Sequence, residues 1–186
     1  MQIQTALKEW SVAVEALSQG EMILLLRKGG IKEQKGRFST QAERAILFPT
    51  FEHQKAELLK PEYQGRVAPV RSGWHPQAIE MKAWAEIAEI FLTTDEDKVL
   101  ALADFHIWQP RLAQERLRWK ANQPLYVMVL RVYKLSEPVV IPWSDRYRGC
   151  RSWVSLEEPL KVDKERPAIA EADYSAQVNK ISALLA

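Results

Sequence analysis

The stretch PLYVMVLRVYKL, residues 124–135, constrains the fold more than any other part of the chain. β-Branched and aromatic side chains dominate it, and these fit a pleated, half-buried surface better than a helix. A strand of this kind needs neighbours, and further apolar runs supply them. WSVAVEAL (10–17) and MILLLRK (22–28) flank SQGE, a four-residue connection containing Gly20. Trp10, Val12, Val14 and Ala16 alternate with smaller or polar residues, so this pair reads as a hairpin. AILFP (45–49) reads as a strand closed by Pro49, which has no N–H to give to a ladder. VVI (139–141) and SWVSL (152–156) read as two short strands around the loop PWSDRYRGCR.

Helical signals lie between these runs. HQKAELLK (53–60) reads as a short helix stopped by Pro61. Thr94 and Asp97 resemble a capping box opening DEDKVLALAD, with acids in the first turn, where the helix dipole favours them. Pro110 suits a first-turn position and starts PRLAQERLRWK. IEMKAWAEIAEIF (79–91) is compatible with both periods; its alternation of Ile79, Met81, Ala83, Ala85 and Ile87 favours a strand. Near the C-terminus Tyr174, Val178, Ile181 and Leu185 form one apolar stripe at helical steps, which docks either on the domain or on a second copy as a homodimer.

Strands with helices among them, without regular βαβ alternation, indicate an α+β fold. The expected architecture is a mostly antiparallel, barrel-like sheet with interspersed helices. It occupies residues 1–160 as one domain, followed by a linker and C-terminal amphipathic helix over 161–186.

The composition narrows the function classes. Cys150 is the only cysteine, which excludes an intramolecular disulfide and a cysteine-rich zinc site and fits a reducing cytoplasm. The opening MQIQTALKEW has no cationic then apolar leader pattern, and no apolar run approaches membrane-spanning length. The expectation is a cytoplasmic protein without a membrane partner. A net charge of +2 hides segregation. Residues 27–37 hold five cations against Glu33, and residues 104–151 hold nine against four acids, while residues 79–98 hold six acids and two lysines.

Two basic regions carry the candidate sites. LLLRKGGIKEQKGRF (24–38) reads first as a buried strand closed by a tight turn with solvated cations; alternatively Gly29 and Gly30 permit close backbone approach to a phosphate, with Arg27 and Lys28 adding charge. A Walker loop is absent. In the second region, Arg116, Arg118, Arg146, Arg148 and Arg151 are interleaved with Trp108, Trp119, Trp143, Tyr147 and Trp153. Guanidiniums for phosphates and aromatic faces for bases are what a single-stranded nucleic acid requires. The competing interpretation places the tryptophans in the core and the arginines on its rim. A nucleic-acid-binding module, RNA before DNA, is therefore the leading expectation.

An enzyme is the rival. Glu33–Gln34–Lys35 and Glu80–Met81–Lys82 each match the acid-any-lysine half of a metal-dependent nuclease motif. Yet His53, His75 and His106 are scattered, no metal-ligand set is evident and no cofactor motif is present. No GxSxG elbow exists, and Cys150 in RGCRSW is a lone thiol among cations. His53 in FPTFEHQ is the first choice for a base, with Glu9, Glu15 or Glu57 to orient it.

Several blocks read together carry a resemblance. ALKEW (6–10), ILLLRKGGI (23–31), LFPTFEHQ (47–54), FHIW (105–108), ERLRWK (115–120), LRVYKL (130–135) and GCRSWVSL (149–156) resemble, in this order, the bacterial family known as domain of unknown function 1802. The resemblance spans roughly residues 5–160, implies a bacterial cytoplasmic protein, and brings no catalytic residue, cofactor or activity with it. A strand, the segment EPVVIP and a closing strand are also similar to the ends of small RNA-binding β-barrels of the PUA type.

Overall fold

The computed structural model describes residues 1–28 and 42–186 in full, and residues 31–34 and 37–40 by their backbone. Its centre is one six-stranded sheet. β1 (Gln2–Trp10), β2 (Leu24–Arg27), β5 (Arg44–Thr50), β6 (Ala78–Thr93), β7 (Leu125–Pro142) and β8 (Trp153–Lys161) form it, in the order β2-β7-β6-β5-β1-β8. All neighbours are antiparallel except β1 and β5, which run parallel with Ala6 opposite Ile46 and Trp10 opposite Thr50. β3 (Ile31–Gln34) and β4 (Arg37–Thr40) form a separate two-stranded ladder. The α+β class and mostly antiparallel sheet are as the sequence indicates. Closure into a barrel is not: β2 and β8 stand at opposite edges of an open sheet.

β7 runs well past the residue-124–135 stretch and absorbs VVI as its last turn of pairing, so VVI is not a separate strand. It pairs along its length with β6, whose alternation does specify a strand, interrupted by register shifts at Met81/Ala83 and Ile87/Glu89. Such bulges bend and twist a long ribbon and let it wrap around a core. Apolar residues on both faces of the sheet are buried, in two clusters. Leu7, Leu47 and Ala85 face one core, and Ala6, Ile46, Phe48 and Trp84 face the other. On the second side Trp84 stacks on its cross-strand partner Tyr133 with ring centroids 4.6 Å apart.

Helices cover the first face. α1 (Ser11–Gln19) occupies the segment that the apolar alternation assigns to a hairpin strand. Val12, Ala13, Val14, Ala16, Leu17 and Ser18 are all buried, so alternation here reflects burial on nearly every side. The helical signal was in the polar residues: Ser11, Glu15 and Gln19 recur every fourth position, and Gln19 Nε2 donates to Glu15 Oε1 at 3.1 Å. Gly20 ends α1 in the left-handed region at φ 76°, and a Cβ there would lie 2.6 Å from the Ala168 carbonyl oxygen. Only glycine fits this turn without displacing the chain.

α2 (Pro61–Gln64) follows a single 3-10 turn at Ala56–Leu58, so HQKAELLK is not a helix. β5 likewise continues through Pro49 to Thr50, because in the parallel pair with β1 the strand goes on one residue further. α3 (Glu96–Ala101) is capped by Asp95, one residue beyond Thr94; its carboxylate accepts from Asp97 N at 2.9 Å and Lys98 N at 3.3 Å. α4 (Pro110–Arg118) starts at its proline as expected. α5 (Glu171–Leu185) buries Tyr174, Ile181 and Leu185 in the helix-side core with Val178 packed beside them, so the stripe docks on its own domain.

Candidate functional site

The parallel pair places the site. β1 and β5 end side by side and then diverge, β1 into α1 and β5 into the loop 51–77. Diverging chains at the carboxyl ends of neighbouring parallel strands leave a crevice. Here it is a cleft of about 370 Å³, walled by residues 48–53, 72–76, 143 and 148–152, with Lys8, Glu9 and Arg27 beneath.

The floor is a buried ion pair. Arg27 Nη1 lies 3.2 Å from Glu9 Oε2, with the two side chains 9% and 8% exposed. Arg27 Nη2 also donates to the Lys8 carbonyl at 3.4 Å, and Glu9 Oε1 accepts from Trp10 N at 3.0 Å. Burial pushes the Arg27 guanidinium down from its ordinary pKa; Glu9 opposes this and the nearby charge of Arg116 adds to it.

Lys8 fixes one wall. Its Nζ donates to the carbonyls of Tyr147 at 2.6 Å and Gly149 at 2.7 Å, and its backbone N–H donates to Ser152 O at 2.8 Å. These bonds hold the loop bearing Arg148, Cys150 and Arg151. Burial lowers the Lys8 pKa, with Cys150 opposing and Arg151 assisting. Arg151 Nη2 donates to Arg146 O at 2.8 Å. Arg148 is exposed and has no salt-bridge partner among the described residues.

Part of the lining is aromatic. His75 stacks on Trp143 with centroids 4.2 Å apart and rings 12° from parallel. Trp74, 44% exposed, meets Phe51 edge-on at 5.9 Å. Glu52 accepts from Gly73 N, which ties the two ends of this loop together. Further along, the same loop is clamped by Lys60 N to Ile107 O and Gln109 N to Leu58 O, each 2.9 Å.

The sequence candidates divide accordingly. Arg27, Arg148, Arg151 and His53 all line this cleft, His53 as an exposed residue at φ 62°. Arg146 faces away into a pair with Glu157 at 3.3 Å. Lys28 is only 4% exposed, and its ammonium donates to Gln123 O at 2.5 Å and Lys120 O at 3.4 Å. Arg116 Nη1 donates to Leu26 O at 2.8 Å and so ties α4 to β2. Arg118 and Trp119 are exposed at the end of α4. Gly29, Gly30 and Lys35 lie outside the described residues, as does the side chain of Glu33. Glu80 pairs with Lys82 at 2.9 Å on an exposed part of β6. Of the interleaved aromatics, Trp108, Tyr147 and Trp153 belong to the core, while Trp143 reaches the cleft.

Lys8, Trp74 and His75 do not stand out as binding residues in the sequence. The only local signal for them is the cluster of glycine and proline around Trp74 and His75, which marks a surface loop. Among the described residues no group of three or more His, Cys, Asp or Glu is placed to hold a metal ion. Nor is any helix there long and apolar enough to cross a membrane.

A family model matches residues 6–180: domain of unknown function, DUF1802. The chain belongs to the DUF1802 family. The match runs through most of α5, further than the blocks that first carry the resemblance. No curated protein sequence matches the chain. Among solved structures, it is similar to a crystal structure of a ZmASCH mutant protein from Zymomonas mobilis. The identity is 8%, the TM-score is 0.45, and the alignment covers 98% of this chain and 96% of that one.

Proposed function

We propose that this DUF1802 protein binds single-stranded nucleic acid, RNA before DNA, and that the cleft at the ends of β1 and β5 receives one nucleotide of it. The observation that carries the reading is the composition of one concave site. Trp74, Phe51 and the His75–Trp143 stack line it together with Arg148 and Arg151, and the buried Arg27–Glu9 pair lines it too. An unpaired base presents a π-face to these rings while its phosphate meets the guanidiniums. A duplex hides those faces, which makes the single strand the better fit. Ser72 and Ser152 line the same cleft, and their hydroxyls are suitable partners for a ribose 2′-OH, the group that separates RNA from DNA.

The test is fluorescence anisotropy at low salt with labelled single-stranded RNA, single-stranded DNA and the corresponding duplexes. Single-stranded RNA should bind best, and Trp74→Ala should weaken it by about 1–3 kcal/mol, the worth of one stacked base. Trp74 is exposed enough that this change leaves the core intact. Preference for duplex, or full affinity in the variant, would overturn the reading.

A further inference from the structure

Beyond the cleft, the most solvent-exposed tryptophan among the described residues is Trp119, 59% exposed, just after the last residue of α4. The turn that follows it is held by unusual means. Lys120 sits at φ 52°, a left-handed backbone that residues with a side chain rarely adopt. Gln123 N closes the turn onto Lys120 O at 2.8 Å. The Lys28 ammonium then donates to both the Lys120 and the Gln123 carbonyls and fixes this surface turn. The Trp119 ring beside this turn is exposed rather than part of the core.

The surroundings of the ring indicate what it meets. Lys120 Nζ stands 4.8 Å from the indole centroid, and Arg118 is exposed one residue before Trp119. The carboxylate nearest along the helix, Glu115, is taken up by Arg111 at 2.8 Å. An exposed indole beside two exposed cations, neither in a salt bridge among the described residues, is complementary to a base with its phosphates. The turn is also joined to the cleft. Arg27, which lines the cleft, and Lys28, which fixes the turn, are consecutive residues, and Arg116 binds Leu26 O just before them.

We propose that the Trp119 turn, with Arg118 and Lys120, is a second contact for the single nucleic-acid strand whose one nucleotide enters the cleft. This rests on the reading of the cleft given above and extends it from one nucleotide to a tracked strand, with a site size of at least about four nucleotides.

A length series separates the two claims. Labelled oligoadenylates of about two and about ten nucleotides are titrated against the wild-type chain, Trp119→Ala and Trp119→Phe; the longer one reaches beyond a single-strand site of this size. The wild type should bind the longer oligomer more tightly. Trp119→Ala should reduce that affinity by roughly 5- to 150-fold, the equivalent of one stacked base, and leave the dinucleotide unaffected. Trp119→Phe, which keeps a π-face, should retain most of the gain. Equal long-oligomer affinity in wild type and Trp119→Ala overturns the second contact, whether or not the turn serves a protein partner instead. Absence of binding at both lengths overturns the cleft reading itself, and the second contact with it.

Discussion

His106 lies next to the backbone clamp between residues 58–60 and 107–109, 3% exposed and tilted against Trp108. Its Nδ1 accepts from Trp108 N at 3.3 Å, and burial, assisted by the charge of Lys60, lowers its pKa from 6.5 to about 4. The folded chain therefore keeps His106 neutral where the unfolded chain takes up a proton. Stability from this residue is fully present above pH 6.5 and is lost as pH falls through about 4. Between pH 7 and 4.5 the loss should be about 2–3 kcal/mol. Urea midpoints at the two pH values, compared with His106→Asn, measure it: the variant should lose less. Equal losses would show that His106 takes a proton in the fold as readily as outside it. At the same scale, burial explains why two of the most basic-looking positions in the sequence are not free to act. Arg27 is committed to Glu9 and Lys28 to two carbonyls, whereas Arg148 and Arg151, reading no differently in the sequence, stand on the cleft wall.

Among elements, α5 is the clearest example of a pattern that stated its own packing. Its stripe enters the helix-side core, and buried Arg131 ties down its start by donating to Ile169 O at 2.9 Å and Glu171 Oε2 at 3.0 Å, with Tyr174 over the guanidinium at 4.5 Å. Ile181 is fully buried, so Ile181→Ala should cost about 2–5 kcal/mol, read from chemical denaturation. A cost near zero would mean that α5 does not pack on the domain in solution. β7, α4 and α5 are legible because one face or one composition dominates each of them, whereas β6 fits both periods and its alternation only tips it towards a strand. α1 was not, because a short helix buried on nearly every side leaves apolar residues at every spacing. The long β7 was underestimated because Ser136, Glu137 and Pro138 look like a break, although the strand passes through them with their side chains exposed.

For the whole molecule, the fold class follows from the runs and their periods, but the cleft does not. Its parts come from residues 8–10, 27, 48–53, 72–76, 79, 143 and 148–152, and only the parallel alignment of β1 with β5 and the position of β8 beside β1 assemble them. No period in a sequence encodes which strands become neighbours across such distances, so Lys8 carries no signal and Trp74 and His75 only that of a surface loop, while Arg148, Arg151 and His53 stand out on charge and chemistry alone. The open sheet has the same origin, since pairing of its two edge strands is a property of the ensemble of strands and not of any one of them.

The most direct measurement is the salt dependence of single-stranded RNA binding by the wild-type chain and by an Arg148→Ala/Arg151→Ala double variant. Two lost phosphate contacts should reduce the log–log slope by about 1.4, since each contact on a single strand contributes about 0.7. A slope unchanged by the double substitution, or no wild-type binding at low salt, would contradict the assignment of this cleft to nucleic acid.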